Sequence, residues 1–359
     1  MVVFYILLFV PIVIQHVRTK GMRMDYRRKN EYALAIFFLL LTMLVMLRHE
    51  SVGTDTKIYI NHFNRYARLD WQSLSGKTEK EIGFPFFNKV ISLVSKEPQF
   101  YLSAVAILIN AMIWPTYKRL NKDTSLTIVL FCIMSTFVLM FSGIRQMLAV
   151  GLGFIAYGFV RKKKLIPFIL VVFVALLLHS SAFMLAFMYP LYHAKVTKKW
   201  LFVMVPVLAV CLALNKQIFG ILTLILEQYT RFEAEISSTG AYTMLILFGM
   251  FVVFSFLIPD EKKLDEETIG LRNFLLLTFA LQMFAPLHAL AMRMSYYYMV
   301  FIPLLLPKII ESRSIRWSQV AVLGRHVMVV FFLLYFFLVK ANSDGNLDVF
   351  PYHFFWENV

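Results

Sequence analysis

From Tyr32 to Leu47 the chain runs for 16 residues without a charge, and similar apolar runs recur almost to its C-terminus. That recurrence is the strongest constraint on the fold. A bilayer core holds no water to satisfy backbone N–H and C=O groups, so a spanning segment must be a helix or part of a closed barrel. Alternating strands of about ten residues, the mark of a barrel, are absent. The chain therefore reads as an all-α polytopic membrane protein. Composition agrees: 60% of residues are hydrophobic and 16% charged, against about a quarter charged in soluble domains. Mean hydropathy is +0.70, and the 36 phenylalanines suit lipid-facing surface and interfacial belts. The first run, "VVFYILLFVPIVIQH", lacks the basic lead and the small-residue cleavage site of a secretory signal, so it reads as a mature helix. Cys132 and Cys211 sit in separate apolar runs and read as small fillers.

Twelve runs can be drawn, near 2–17, 31–47, 100–116, 125–141, 146–160, 165–178, 181–194, 201–214, 241–258, 273–287, 294–307 and 327–339. They predict about 12 transmembrane helices in a single integral membrane domain over 1–359. Several are shorter than the roughly 20 residues that cross a bilayer. The weakest pair, 165–194, has one long helix or a re-entrant hairpin as alternatives. Basic residues at both of its ends, "RKKK" at 161–164 and Lys195, Lys198 and Lys199, favour two crossings that return to one side.

With the N-terminus outside, 23 of the 36 Lys and Arg fall in the inward segments 18–30, 117–124, 161–164, 195–199, 259–272 and 308–326. The outward segments are 48–99, 142–145, 215–240, 288–293 and a tail at 340–359. The formal charge of +15 is thus concentrated on the cytoplasmic side. It is a topology signal with attraction for anionic lipid, not a nucleic-acid footprint. Two outward stretches have helical apolar faces. "FPFFNKVISLVSKE" carries Phe87, Val90, Ile91 and Val94, and "KQIFGILTLILEQ" carries Ile218, Leu222, Ile225 and Leu226. Both fit amphipathic helices, either interfacial on the outer leaflet or capping the bundle.

Four outward turns also carry ionisable residues beside the apolar runs. Arg48, Glu50 and Asp55 follow the second run, and Arg145 sits in "FSGIRQML". His179 sits in "LLLHSSAF", and Arg293 in "LHALAMRMSYYY" with Tyr296 and Tyr297 at i+3 and i+4. Charges near membrane depth are costly and usually face a cavity or a partner, so their convergence on one face points to a polar site opening outward. Each also has an ordinary reading: Arg48 snorkelling to headgroups, Asp55 in "VGTDT" as a helix N-cap, His179 bonding a neighbouring helix, Glu81 in "EIGFPFF" starting a helix, and the tyrosines as belt aromatics. Guanidinium groups in a partly dry pocket suit phosphate, and carboxylate and imidazole suit proton transfer. The matching substrate is an amphiphile with a phosphate-bearing headgroup outside and its lipid in the bilayer. No metal-ligand spacing, nucleophile elbow or phosphate-cradling glycine loop is present, and no cofactor is expected.

The stretches "VGTDTKIY" after Arg48, "EIGFPFFNKV", "SGIRQMLAVGLGFIAYGFVRKKK", "LLLHSSAFML", "MRMSYYY" and "FPYHFFW" resemble, in this order, the EpsG family, related to Wzy-type polysaccharide polymerases. The resemblance runs from about residue 48 to the C-terminus. It implies a GT-C-like multi-helix fold in the bacterial inner membrane, with the active site facing the periplasm or cell exterior. It implies metal-independent glycosyl transfer from an undecaprenyl-pyrophosphate-linked glycan to a second lipid-linked repeat unit, and leaves a chain-length regulator open as a partner. Carried onto this chain, the family's polar positions match Arg48, Gly53, Asp55, Tyr59, Glu81, Arg145, Gln146, His179 and Arg293. Arg145 and Arg293 are then expected to hold pyrophosphate, Asp55 or Glu81 to act as base, and Arg48 and His179 to orient sugar or phosphate. Rival readings are another lipid-phosphate-sugar glycosyltransferase, a glycan ligase, or a transporter of lipid-linked sugars. The last predicts matching polar sites on both faces and a repeated half, neither of which the sequence displays.

Overall fold

A computed structural model describes residues 1–16, 25–75, 81–225, 238–312, 318–343 and 346–359. Among them the chain is helical, with no strand beyond one antiparallel bridge between Arg48 and Phe354. The first helices are α1 (Val2–His16), α2 (Tyr26–Met46), α3 (Thr56–Arg68), α4 (Gly83–Ser92) and α5 (Pro98–Leu120). A proline opens α5, where its missing N–H is no loss. Then come α6 (Thr124–Ile133), α7 (Ser135–Ser142), α8 (Ile144–Arg161), α9 (Leu165–Leu178) and α10 (Met188–His193). The last seven are α11 (Leu201–Ala213), α12 (Asn215–Ile225), α13 (Ser238–Leu257), α14 (Glu266–Gln282), α15 (Ala289–Met299), α16 (Ile302–Glu311) and α17 (Ser318–Leu338).

Not every apolar run becomes one straight span. Three described helices are long and apolar enough to cross a bilayer: α2, α5 and the stretch Val322–Asn342. At about 1.5 Å per residue, 21 residues reach the roughly 30 Å of a hydrocarbon core. Two further candidates are bent pairs, α6 with α7 at 66° and α11 with α12 at 77°. The run 125–141 breaks at Met134, whose backbone turns extended (φ −69°, ψ 146°) before α7 restarts. The run 294–307 is divided between α15 and α16. Segment 165–194 is a hairpin and not one long helix. A 3-10 stretch, Ser180–Phe187, separates α9 from α10, and His193 Nε2 returns to 3.2 Å from the Val160 carbonyl, at the end α9 left.

The two sets of charged segments occupy different ends of the bundle. At the lysine- and arginine-rich end, Arg119 forms a two-pronged pair with Glu267 (2.6 and 2.9 Å). Lys308 lies 2.7 Å from Asp265, and Arg325 3.1 Å from Asp123. At the other end the loop after α2 meets the C-terminal tail and the turn between α7 and α8. Among the described residues no ion pair joins an inward segment to an outward one.

Helix α4 does two things at once. Phe84, Asn88 and Ser92 are buried against the bundle, while Ile82 just before it and Phe86, Val90, Leu93 and Val94 are exposed. Of the expected apolar stripe, Val90 and Val94 face outward and Phe87 and Ile91 pack on the core. In the stretch 216–228, α12 reaches Ile225 and the remainder lies outside the described residues. Lipid-facing surface is plain on α9, where Ile166, Ile169, Leu170 and Phe173 are exposed.

The loop between α2 and α3 turns at Gly53, whose φ is +90°, a conformation a side chain resists. A Cβ there would also lie 2.5 Å from the Phe141 carbonyl oxygen. In contrast, a Cβ at Gly158 within α8 meets nothing within 4 Å. Gly53→Ala is therefore expected to destabilise the protein by more than about 1 kcal/mol, and Gly158→Ala to be neutral or stabilising by up to about 1 kcal/mol. Thermal midpoints of the two purified variants check this; equal midpoints would refute the turn's dependence on glycine.

Candidate functional site

Helix α3 buries Tyr59, Ile60, Phe63 and Tyr66 on one face. Phe63 stacks on Tyr101 of α5 with ring centroids 4.5 Å apart. This amphipathic helix fixes the direction of the residue before it, Asp55. Asp55 occupies the N-cap position, yet its side chain makes no capping bond. Its backbone N–H instead donates to the Ser142 hydroxyl (3.1 Å), tying it to the α7–α8 turn. Its carboxylate is half-buried and makes no hydrogen bond or ion pair among the described residues.

Three segments meet at Glu81. Oε2 accepts from Arg145 Nη1 (3.0 Å), and Oε1 accepts from the Ser180 backbone N–H (2.7 Å). His179 Nδ1 also lies 3.0 Å from Oε1 but out of line for a hydrogen bond. This approach depends on Gly83, where a Cβ would lie 2.7 Å from the Leu177 carbonyl oxygen. Without a side chain there, α4 begins flush against the last turn of α9. The Arg145 guanidinium carbon sits 5.4 Å from the Phe84 ring centroid and 5.8 Å from that of Tyr59. Its plane of charge is thus held over aromatic rings, with about a third of the side chain exposed. Burial pushes the Glu81 carboxyl up, but the His179 contact, the Ser180 amide and Arg145 outweigh it and hold the pKa at about 2.

The remaining predicted residues are placed differently from one another. Gln146 is buried and its amide donates to the Arg293 carbonyl (2.7 Å), docking α15 on α8. The Arg293 side chain is exposed at this end and has no hydrogen bond or ion pair among the described residues. Tyr296 and Tyr297 are fully buried. The Tyr297 hydroxyl is 3.0 Å from Ser181 Oγ, so it fastens α15 to the turn after His179 instead of lining an open surface. Arg48 is 1% exposed and has no carboxylate partner. Its Nη1 donates to the Val45 carbonyl and its Nε to Thr56 Oγ1 (3.5 Å). Burial lowers its pKa to about 10, which leaves it charged at neutral pH. Arg48 thus lies beneath the loop and not on the face that Arg145 and Arg293 share.

Several contributors went unnoticed in the sequence: Ser142, Ser180, Phe84, and the tail residues Leu347 and Asp348 that bind the loop at Gly53 and Thr54. The Ser142 hydroxyl, three residues before Arg145 in "SGIRQ", was a usable signal, whereas Ser180 acts through a backbone N–H that most residues supply. The tail offered none. Among the described residues no group of three or more His, Cys, Asp or Glu could hold a metal ion. The arrangement can bind an anion through guanidinium groups and accept a proton on a carboxylate.

The chain belongs to the EpsG family, whose model matches residues 31–354, nearly the whole length. EpsG-type proteins are Wzy-like polysaccharide polymerases. No curated protein and no solved structure matches the chain.

Because the folded Glu81 pKa lies below the ordinary carboxylate value of about 4.3, its stabilising contribution is complete above that value. It is lost as pH falls toward about 2. Glu81→Gln is expected to lower the melting temperature at pH 7 by a few degrees, with the gap to wild type closing as pH drops below about 4. A gap that stays constant with pH would show that the Glu81 charge does not stabilise this cluster.

Proposed function

From membership of the EpsG family and the Arg145–Glu81–His179 cluster, we propose that the chain polymerises undecaprenyl-pyrophosphate-linked oligosaccharide repeat units into a surface polysaccharide. In this reading it does so on the extracytoplasmic face of the bacterial inner membrane, within a GT-C-like arrangement of helices. The observation that carries the reading is the meeting of Glu81, Arg145 and His179 at one end of the bundle, beside α15, whose Arg293 carbonyl accepts from Gln146. The lysine and arginine bias assigns that end to the outside. A pyrophosphate leaving group needs positive charge where its own charge grows. Arg145, held over Tyr59 and Phe84, and Arg293 supply it without a metal.

Asp55 is the better base. Both Glu81 oxygens are engaged, and a carboxyl held at about pKa 2 accepts a proton poorly. Asp55 has an unengaged carboxylate one helical turn before Tyr59, which lies under Arg145. In the step, the acceptor sugar hydroxyl oxygen attacks the anomeric carbon of the donor, and its proton passes to Asp55. The bond from that carbon to the pyrophosphate oxygen breaks, and the lipid pyrophosphate leaves on Arg145 and Arg293. Glu81 positions Arg145 and His179, Gln146 and Tyr297 hold α15, and Arg48 and Gly53 shape the loop that carries Asp55. The transporter alternative is disfavoured because the charges at the opposite end are closed into pairs such as Arg119–Glu267 and Lys308–Asp265.

The test is incubation of purified protein with a lipid-pyrophosphate-linked repeat unit from its host, followed by gel separation. A ladder is expected, lost by at least about a hundredfold in Arg145→Ala and in Asp55→Asn, with both variants folded. A wild-type ladder that survives Asp55→Asn but not Glu81→Gln would transfer the base role to Glu81. Full transfer to a different acceptor without a ladder would establish a ligase instead.

A further inference from the structure

The C-terminal tail makes a set of contacts that the polymerisation step does not use. Leu347 and Asp348 both adopt left-handed backbone, with φ of 53° and 56°. Left-handed backbone is unfavourable for non-glycine residues, and such strain persists only where surrounding contacts enforce it. Here the turn aims two carbonyls at the loop: Gly53 N–H donates to Asp348 O (3.0 Å) and Thr54 N–H to Leu347 O (2.9 Å). The Thr54 hydroxyl donates to Asp348 Oδ2 (3.0 Å), and Asp348 N–H is held by Asn346 Oδ1 (2.9 Å). Further along, His49 N–H donates to His353 O and Phe355 N–H to Leu47 O, each at 2.9 Å. The tail is itself anchored. Val349 is buried, Phe350 packs on Phe4 with ring centroids 4.5 Å apart, and the Tyr352 hydroxyl donates to Leu44 O (2.8 Å).

The residue after Thr54 is Asp55. We propose that residues 347–355 are a positioning clamp for the Asp55 loop, setting where its carboxylate stands relative to Arg145. Arg48 completes the clamp from below, since its backbone bridges Phe354 and its side chain reaches Thr56. With the tail in place the loop is held from two sides, by the tail at His49, Gly53 and Thr54 and by Ser142 at Asp55. Without the tail, His49, Gly53 and Thr54 lose these partners, and the loop keeps only its holds at Asp55 and Thr56, from Ser142, the Phe141 carbonyl and Arg48. The clamp itself stands on these contacts alone; its consequence for turnover rests on the polymerase reading with Asp55 as base.

The exposed Asp348 allows a paired test in the full-length protein in lipid nanodiscs. Asp348→Pro forbids positive φ at 348, removes the N–H bonded to Asn346, and drives 347 toward extended backbone. Asp348→Asn keeps the left-handed preference and an acceptor for Thr54. The readouts are amide exchange at Gly53 and Thr54 and polymerisation kinetics on the lipid-linked repeat unit. The proline variant is expected to exchange at least about tenfold faster at those amides. It is also expected to lose about tenfold or more in kcat with KM within about threefold. The asparagine variant should match wild type in both. Unchanged exchange in Asp348→Pro overturns the clamp, and faster exchange with unchanged kcat overturns its positioning role. A wild type that polymerises nothing, with exchange behaving as expected, sinks the polymerase reading and leaves the clamp supported.

Discussion

The Glu81 carboxylate is the contact on which the outward end depends. Its two oxygens bind an arginine 64 residues away and a backbone amide 99 residues away, so one side chain registers α4, α8 and the α9 turn against each other. Such a buried carboxylate is tolerable only when its lone pairs are filled, because leaving one partner unpaired costs about 3–5 kcal/mol. Here the Ser180 amide contributes a fixed dipole and Arg145 a full charge. Gly83 is the geometric condition for both, since any side chain there would drive α4 off the Leu177 carbonyl. The site is thus organised around a residue whose two oxygens are both engaged.

The two ends of the bundle handle charge in opposite ways. At the basic end the groups are mutually satisfied: Glu267 takes both prongs of Arg119 and the Tyr157 hydroxyl (2.6 Å). Arg272, fully buried, faces Phe256 at 4.0 Å and pairs with Glu261 at 2.5 Å. Those clusters hold helices together and leave little capacity for a ligand. At the other end Arg293 and the Asp55 carboxylate remain unengaged, and Arg145 is partly exposed. Closed pairs stabilise a fold, whereas groups left open are suited to an incoming anion. This asymmetry runs parallel to the lysine and arginine bias read from the sequence.

What could be read in advance was whatever depends on local periodicity or on which side of a membrane a turn falls. Helical class is of that kind, and so is the nearness of Arg145 and His179, which the structure brings together on Glu81. Long-range packing could not be read. Arg48 looked like a headgroup or phosphate ligand, but it is buried near tyrosines 101 and 352 and bonds the Val45 carbonyl and the Thr56 hydroxyl. Tyr296 and Tyr297 share helical spacing with Arg293, yet neighbouring elements bury that face. The break at Met134 carries no proline or glycine, so nothing in "LFCIMSTFVL" announced it. The tail's contribution needed residues nearly 300 apart to meet, a pairing that no periodicity encodes.

These elements make sense together for a substrate that arrives tethered to the bilayer. A lipid-linked phosphate has its height set by the membrane, so the protein must hold its own charges at a matching height without help from substrate binding. Arg145 meets that requirement because its guanidinium is fixed on two sides, by the Phe84 and Tyr59 rings and by Glu81, with about a third of the side chain exposed. A planar guanidinium can lie flat on the rings while it bonds a carboxylate; an ammonium in the same place would have no plane to lay on them. The Asp55 loop is constrained by the same logic, between Ser142 on one side and the tail on the other. Fixed donors and a fixed acceptor need little reorganisation as charge moves during a reaction, which is how a preorganised site stabilises a transition state.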